Sequence, residues 1–353
     1  MAIHALDVAM DRGFAPEAHE RMCSPLPRVL VVIPESSDST FIFARRQVAS
    51  LQESGAAVQP FFLGNRQSLS ALIAEWKRFR RTVREFDPDL VHAHYGTMTA
   101  FFCAVATRRP LFITYHGSDL NPVPSMSAWR SLTGRLLSQL AALRAAQLVC
   151  VSPALRDRLW WRRDRATIMP MGVDLSCFVP GPPGEARRTL GWPCDDRVVL
   201  FNAGRHSGVK RLDLARNAVA AASRLVGPIR FVVTDGTVPP ESMPTLMNAA
   251  DCLLITSDYE GSPTVVKEAL ACNLPIVSVA VGDVVERLNG VEPSRIVSRD
   301  PVHIGRALAE VLASRTRSNG RASVRDLDSA TIALRLIAAY RNVLGTWSEA
   351  SCT

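Results

Sequence analysis

Lysine is nearly absent from this chain: Lys77, Lys210 and Lys267 are the only three among 41 basic residues, the rest being arginine. A guanidinium is a planar fork and an ammonium a compact point charge. A position that keeps lysine in such a background suits a point charge, although chance alone accounts for three. No apolar run reaches the roughly 18 residues of a membrane span. The opening residues, MAIHALDVAMDRGFAPEAHERM, carry acids and lack an apolar core segment, which argues against a signal peptide and for a cytosolic protein. The eight cysteines are scattered, without a C-x-x-C pair or a Cys/His spacing suited to a metal. That argues against a disulfide frame and a structural zinc, and reads them as small buried apolar residues. No G-x-G-x-x-G follows the first candidate strand, which argues against a dinucleotide-dependent dehydrogenase. Nucleic acid is not an expected partner either, because no recognition motif is present.

What the chain does contain is an ordinary globular composition, 47% hydrophobic and 21% charged over 353 residues, a length that suggests two domains. Its 41 basic and 33 acidic residues leave a net charge of +8. An anionic partner follows, either phosphate groups on a small ligand or an anionic membrane surface. From PRVLVVIP onward, short Val-rich runs alternate with segments of helical periodicity, as in VQPFFL followed by SLSALIAEWKRFRRTVREF and then DLVHAHYG. Such alternation predicts parallel sheets covered by helices. PALRDRLWWRR reads as a helix in this series. The pattern breaks at VDLSCFVPGPPGEARRTLGWP, where Pro and Gly accumulate, and restarts at RVVLFNAG.

The expected architecture is α/β, with two doubly wound Rossmann-like domains facing a cleft. Residues 1–26 form an N-terminal extension, 27–174 the first domain and 175–334 the second, with a C-terminal helix over 335–353 that can pack back on the first. In doubly wound sheets ligands sit at the carboxyl ends of the strands, so the loops there are the candidate site.

The most informative loop lies in DYEGSPTVVKEALACNLPIVSVAVGDVVE, residues 258–286. Ser262 is a candidate N-cap and Pro263 suits the first helical position. Asn273 can take the left-handed conformation that ends a helix near Cys272. The free N–H groups at the helix start suit an anion. Glu260 precedes that start and Glu268 follows eight residues later. Each carboxylate can accept hydrogen bonds from two neighbouring hydroxyls, as on a sugar or a ribose. The structural alternative is an acid favouring the helix dipole plus a surface glutamate paired with Lys267 or Arg287. In FNAGRHSGVKRLD, Arg205 and Lys210 stand five residues apart after a candidate strand, a fork and a point charge suited to a diphosphate.

These residues resemble the E-x7-E motif of retaining glycosyltransferases, in the form E-G-x-P-x-x-x-x-E-A-x-A of glycosyltransferase family 4. The resemblance extends over ITYHGSDL, VSPALRDRL and MPMGVDLSCFVP, with Met171 where the family has Asn, and so covers the chain from about Pro27 to Leu344. It implies the GT-B fold and transfer of a sugar from a UDP- or GDP-type nucleotide diphosphate sugar to a hydroxyl acceptor, with retention at the anomeric carbon. The acceptor, a glycan or a lipid-linked precursor in polysaccharide or glycolipid biosynthesis, belongs to the N-terminal domain.

By the same resemblance, Arg205 and Lys210 hold the departing diphosphate, together with the helix start at Gly261, Ser262, Pro263, Thr264 and Val265. Glu260 and His116 contact the donor sugar, Glu268 the ribose, and Gly117 completes the loop of His116. No D-x-D metal motif stands in a suitable loop, so neither a metal nor another cofactor is expected; His92 and His94, two apart on a strand, lack a third ligand. In the first loop, Ser39 and Thr40 stand where many members have Gly-Gly. Two alternatives are a catalytically silent protein on the same fold and a nucleotide-sugar epimerase. The clusters EWKRFRRTVRE and RDRLWWRRDR join arginine to tryptophan. Each suits either a solvated helix face or a surface resting on anionic lipid.

Overall fold

A computed structural model describes residues 26–34, 41–64, 68–122, 127–204 and 207–351. The Ser39–Thr40 loop and Arg205 lie outside them, as does most of the N-terminal extension. The first sheet contains β1 (Arg28–Pro34), β2 (Ala57–Leu63), β3 (Leu90–His94), β4 (Leu111–Tyr115), β5 (Gln147–Cys150) and β6 (Ala166–Ile168). All pairings are parallel, in the order β2-β1-β3-β4-β5-β6. Its helices are α1 (Ile42–Glu53), α2 (Leu69–Phe86), α3 (Thr97–Ala106) and α4 (Ala128–Arg144). Ser68 caps α2 and Ser127 caps α4 by accepting a hydrogen bond from a first-turn N–H.

The second sheet, ordered β11-β10-β9-β7-β8, is also parallel and uses β7 (Val198–Asn202), β8 (Arg230–Thr234), β9 (Cys252–Ile255), β10 (Ile276–Val279) and β11 (Arg295–Val297). It carries α5 (Pro183–Thr189), α6 (Leu212–Val226), α7 (Met243–Ala249), α8 (Thr264–Ala271) and α9 (Pro301–Ser314). The chain then forms α10 (Ser329–Ser351), whose Ala333, Leu336, Ile337 and Tyr340 share a core with β1 and α1. The central strands β1, β3, β4, β9 and β10 are buried almost throughout, as parallel strands covered on both faces must be.

Two local expectations fail. PALRDRLWWRR is not a helix: after a single turn at Pro153–Arg156 the chain breaks, and Arg162 takes a left-handed φ of 56°. Tertiary hydrogen bonds override the periodicity there. Trp161 Nε1 donates to Gln139 O at 2.8 Å, and the Arg162 guanidinium donates to Ala142 O and Ala145 O, the open carbonyls at the end of α4. The Pro- and Gly-rich stretch in turn holds α5, anchored in the second domain by Arg187, whose guanidinium pairs with Asp251 at 2.7 Å.

Candidate active site

The loops at the carboxyl ends of β4 and β9 meet across the cleft between the sheets. A Cβ added to Gly261 would lie 2.0 Å from the carbonyl oxygen of His116, an impossible contact, so only glycine lets the backbones approach this closely. On the β4 side the buried Asp119 carboxylate shapes the loop by accepting from the N–H groups of Gly96 (3.0 Å), His116 (3.0 Å) and Gly117 (2.8 Å). Burial raises the pKa of Asp119, and those N–H groups oppose the shift.

Lys210 ends a single helical turn, Ser207–Lys210, that is pinned to the loop after β9. Thr256 Oγ1 donates to Lys210 O at 2.8 Å, and Asp258 N to Val209 O at 2.9 Å. Its ammonium reaches Glu260 Oε1 at 2.6 Å, with both side chains only partly exposed. The proposed point charge and the first motif glutamate are therefore neighbours in space, fifty positions apart in sequence.

Helix α8 begins at Thr264 rather than at Pro263, with Pro263 as its N-cap residue. Ser262 is not the cap. Its hydroxyl donates to Asp283 Oδ2 (2.7 Å) and accepts from Lys267 Nζ (3.0 Å), so a charged network outcompetes the backbone. Lys267 is 1% exposed and also donates to Met171 O at 2.9 Å, while Arg287 closes on Asp283 at 3.1 Å. Burial brings the Lys267 pKa down to about 8. Because Lys267 uses only the carbonyl of residue 171, a methionine can stand there. Pro263, Thr264 and Val265 form the turn that opens the helix, where Thr264 and Val265 have no intrahelical acceptor for their N–H groups. Asn273 closes the helix with φ 53°.

Glu268 lies on the buried face of α8 and pairs with neither Lys267 nor Arg287. Its Oε1 accepts from Arg46 Nη1 at 2.8 Å, a bridge from α1 across the cleft. Burial raises the Glu268 pKa and Arg46 opposes it. The pair flanks a cavity open to solvent, with Asn202, Gly236, Thr264 and Glu268 on one wall and Phe43 and Arg46 on the other.

His116 closes a ladder of imidazoles. Its Nε2 lies 3.1 Å from His94 Nδ1, and His92 is bonded at both nitrogens, to Tyr340 OH (2.6 Å) and Thr114 Oγ1 (2.8 Å). His94 Nε2 is buried without a partner among the described residues. A bare acceptor is easier to bury than a bare N–H, so the His94 hydrogen sits on Nδ1 and is donated to His116. His116 then carries its own hydrogen on Nδ1, a neutral donor. Among the described residues no group of three His, Cys, Asp or Glu side chains converges as a metal site.

Burial lowers the pKa of His94 to about 3 and those of His92 and His116 well below 6.5. The unfolded chain takes up these protons near pH 6.5 while the folded chain does not. Stability is therefore full above that pH and falls on acidification, by up to about 1.4 kcal/mol per pH unit for each ring. Urea melts between pH 6.5 and about 5 measure this, and His94→Phe is expected to flatten the slope by one such step. An unchanged slope would show that His94 is charged in the folded protein.

Residues 28–176 match the family model described as Glycosyltransferase Family 4, and residues 197–314 that described as Glycosyl transferases group 1. The chain belongs to glycosyltransferase family 4. It is 29% identical over 239 residues to a glycosyltransferase assigned to teichuronic acid biosynthesis in Bacillus subtilis, covering 62% of this chain and 59% of that one. It is 28% identical over 312 residues to the 2-deoxystreptamine N-acetyl-D-glucosaminyltransferase of Streptomyces fradiae, covering 74% and 72%. The fold is GT-B, as in the sucrose-phosphate synthase of Thermosynechococcus elongatus (TM-score 0.74, 19% identity, 90% of this chain and 100% of that one). It is also that of Anabaena HepE, solved in complex with UDP-glucose (TM-score 0.71, 18% identity, 89% and 99%).

The structure thus brings Lys210, Glu260, Gly261, His116, Gly117 and Glu268 to one cleft in a family 4 chain. Sequence reasoning missed Arg46, Asp119 and the Asn202–Gly236 wall. Arg46 left a trace as half of an Arg-Arg pair early in the first helix, and Asp119 as the acid of the H-G-S-D turn.

Proposed function

We propose that the protein transfers a sugar from a nucleotide diphosphate sugar to a hydroxyl acceptor with retention at the anomeric carbon. The observation that carries this reading is the contact of Lys210 with Glu260 at 2.6 Å in the loop that leads into α8, whose first residue, Thr264, lines the cavity. On donor binding, Lys210 exchanges the carboxylate for diphosphate oxygens, and the free N–H groups of α8 add positive potential. Glu260, released, accepts from sugar hydroxyls, and Glu268 turns from Arg46 to the ribose diol. The neutral His116 offers its Nδ1–H to the sugar. The bond between the anomeric carbon and the phosphate oxygen breaks, and its electron pair leaves with the diphosphate. The acceptor oxygen bonds to the same face of the carbon, and its proton passes to a phosphate oxygen of the leaving group. The positive potential needed to stabilise that group then comes from two cationic side chains, Lys210 and Arg205, and from the N–H dipoles at the helix start.

HepE is a UDP-glucose-binding neighbour and the Bacillus relative is assigned to teichuronic acid synthesis, which supports a UDP-type donor and a polysaccharide or glycolipid acceptor. Incubation with a panel of UDP and GDP sugars, read as nucleoside diphosphate release, tests the reading. One donor is expected to be hydrolysed slowly, with turnover that persists in EDTA and a product of retained configuration by NMR. No release from any donor, with or without acceptors, would sink it.

A further inference from the structure

The solvent face of α4 is apolar. Trp129, Leu132, Leu136, Leu140 and Leu143 are 75%, 47%, 42%, 39% and 55% exposed, although they recur at helical spacing along one stripe. An amphipathic helix normally turns such a stripe inward. Here the inward face is built instead from Ser138, Gln139, Ala141 and Ala142, small or polar residues that let α4 sit close to α3. Projected on the helix, Arg135 flanks the stripe on one side and Arg130 and Arg144 on the other. Helix α4 contains no aspartate or glutamate.

The surface continues on both sides. Val105 of α3 is 65% exposed. Trp160, 50% exposed, is fixed against α4 by the hydrogen bond from its N–H to Gln139 Oε1 at 3.0 Å. Helix α2 contributes to the same core as α3 and α4, through Phe79, and so covers the same side of the sheet. It exposes Leu69, Ile73 and Trp76 beside a shallow groove lined by Lys77, Arg80, Arg81 and Arg84. The Arg80 guanidinium stacks over the Trp76 ring at 4.9 Å. Among the described residues none of these four cations, nor Arg130 or Arg135, has an ion-pair partner.

We propose that the α2–α4 face of the N-terminal domain docks on an anionic membrane surface. The apolar stripe enters the boundary between headgroups and acyl chains, and the arginines on its flanks meet lipid phosphates. No helix among the described residues is long and apolar enough to cross a membrane, so the contact is peripheral. Charge distinguishes this occupant from a second copy of the chain. Pairing two α4 stripes would bring Arg130, Arg135 and Arg144 of each against those of the other, with no carboxylate on either helix to answer them. In sequence, RDRLWWRRDR suits either a solvated helix face or a surface resting on anionic lipid. The structure instead uses Trp161 and Arg162 to hold the loop on α4, which leaves Trp160 at the surface.

The test is cosedimentation of the full chain with vesicles of phosphatidylcholine containing about 30% phosphatidylglycerol, against phosphatidylcholine alone. Wild type is expected to bind the anionic vesicles at least about tenfold more tightly and to be released by high salt. The triple variant Trp129→Ser/Leu136→Ser/Leu140→Ser is expected to stay in the supernatant. Because the replaced side chains face solvent, its Tm is expected to match or exceed that of wild type. Arg130→Glu/Arg135→Glu provides an independent variant that keeps the stripe and loses the charge preference. Equal binding to neutral vesicles, undiminished binding by either variant, or a wild-type dimer that the triple variant dissolves would each overturn the proposal.

Discussion

Lys210→Ala is expected to lower kcat/KM for the nucleotide sugar by a factor on the order of 10³, the effect of removing a charged donor aimed at a leaving diphosphate. The loss should fall mainly on kcat, because the diphosphate gains its full charge only as the bond to the sugar breaks. Lys210→Arg should recover part of it, since the charge is restored on a broader head group. Folding is not the issue: Lys210 is partly exposed and its backbone is held independently through Thr256.

The 2.6 Å contact with Glu260 permits a sharper version of the experiment. If Glu260 serves only to hold Lys210, then Glu260→Gln costs little in a Lys210→Ala background. If both side chains touch the donor, one at the diphosphate and the other at sugar hydroxyls, the losses in the double variant are close to additive. The proposed mechanism requires the second outcome. A Lys210→Ala enzyme with wild-type kcat/KM would remove the diphosphate role outright.

The positions of these two residues were legible because each sits in a contiguous segment of characteristic spacing, and short segments carry their local geometry with them. The alternation of Val-rich runs with helical periods likewise announced both sheets. Where a segment was short or polar, the signal failed. Strand β11 has only Arg295, Ile296 and Val297, in an edge position where the pattern of a buried strand does not form. Helix α5 spans seven residues, too few for a period to emerge from its Pro and Gly surroundings.

Other misreadings came from competition that sequence cannot display. The rule that serine before a helix caps it assigned Ser262 to the backbone, but Asp283 arrives from the loop after β10 and takes the hydroxyl, with Lys267 beneath. Arg46 reaches Glu268 only because the two domains face one another. Its role depends on a separation of 222 positions that no local pattern encodes. The lysine count was informative in a way its arithmetic did not show. Of the three retained lysines, Lys210 stands at the cleft, Lys267 is buried on α8, and Lys77 lies on the exposed basic face of α2. Scarcity marked positions worth inspecting without saying which role each had.

Gly261→Ala is the second change expected to have a large effect, and it acts without removing any functional group. The new methyl would stand 2.0 Å from the His116 carbonyl oxygen, well inside contact distance, so one backbone must yield by more than an ångström. Neither can do so locally. The His116 loop is tied by the three N–H groups donating to Asp119. The Gly261 loop is backed by Gly282, where even an added Cβ would lie 2.9 Å from Gly261 O. The strain is therefore relieved by parting the loops that bring His116 and Glu260 to the same cleft. Misplacement of reacting groups by about an ångström costs on the order of 10² in rate, so kcat is expected to fall by at least that factor. The fold itself should survive, because the two domain cores are separate clusters and the methyl meets that of the first domain at Val151, 3.1 Å away. Far-ultraviolet circular dichroism unchanged from wild type, combined with this loss of kcat, would identify the contact as a positioning device between domains. Wild-type kcat in Gly261→Ala would mean that the cleft works without it.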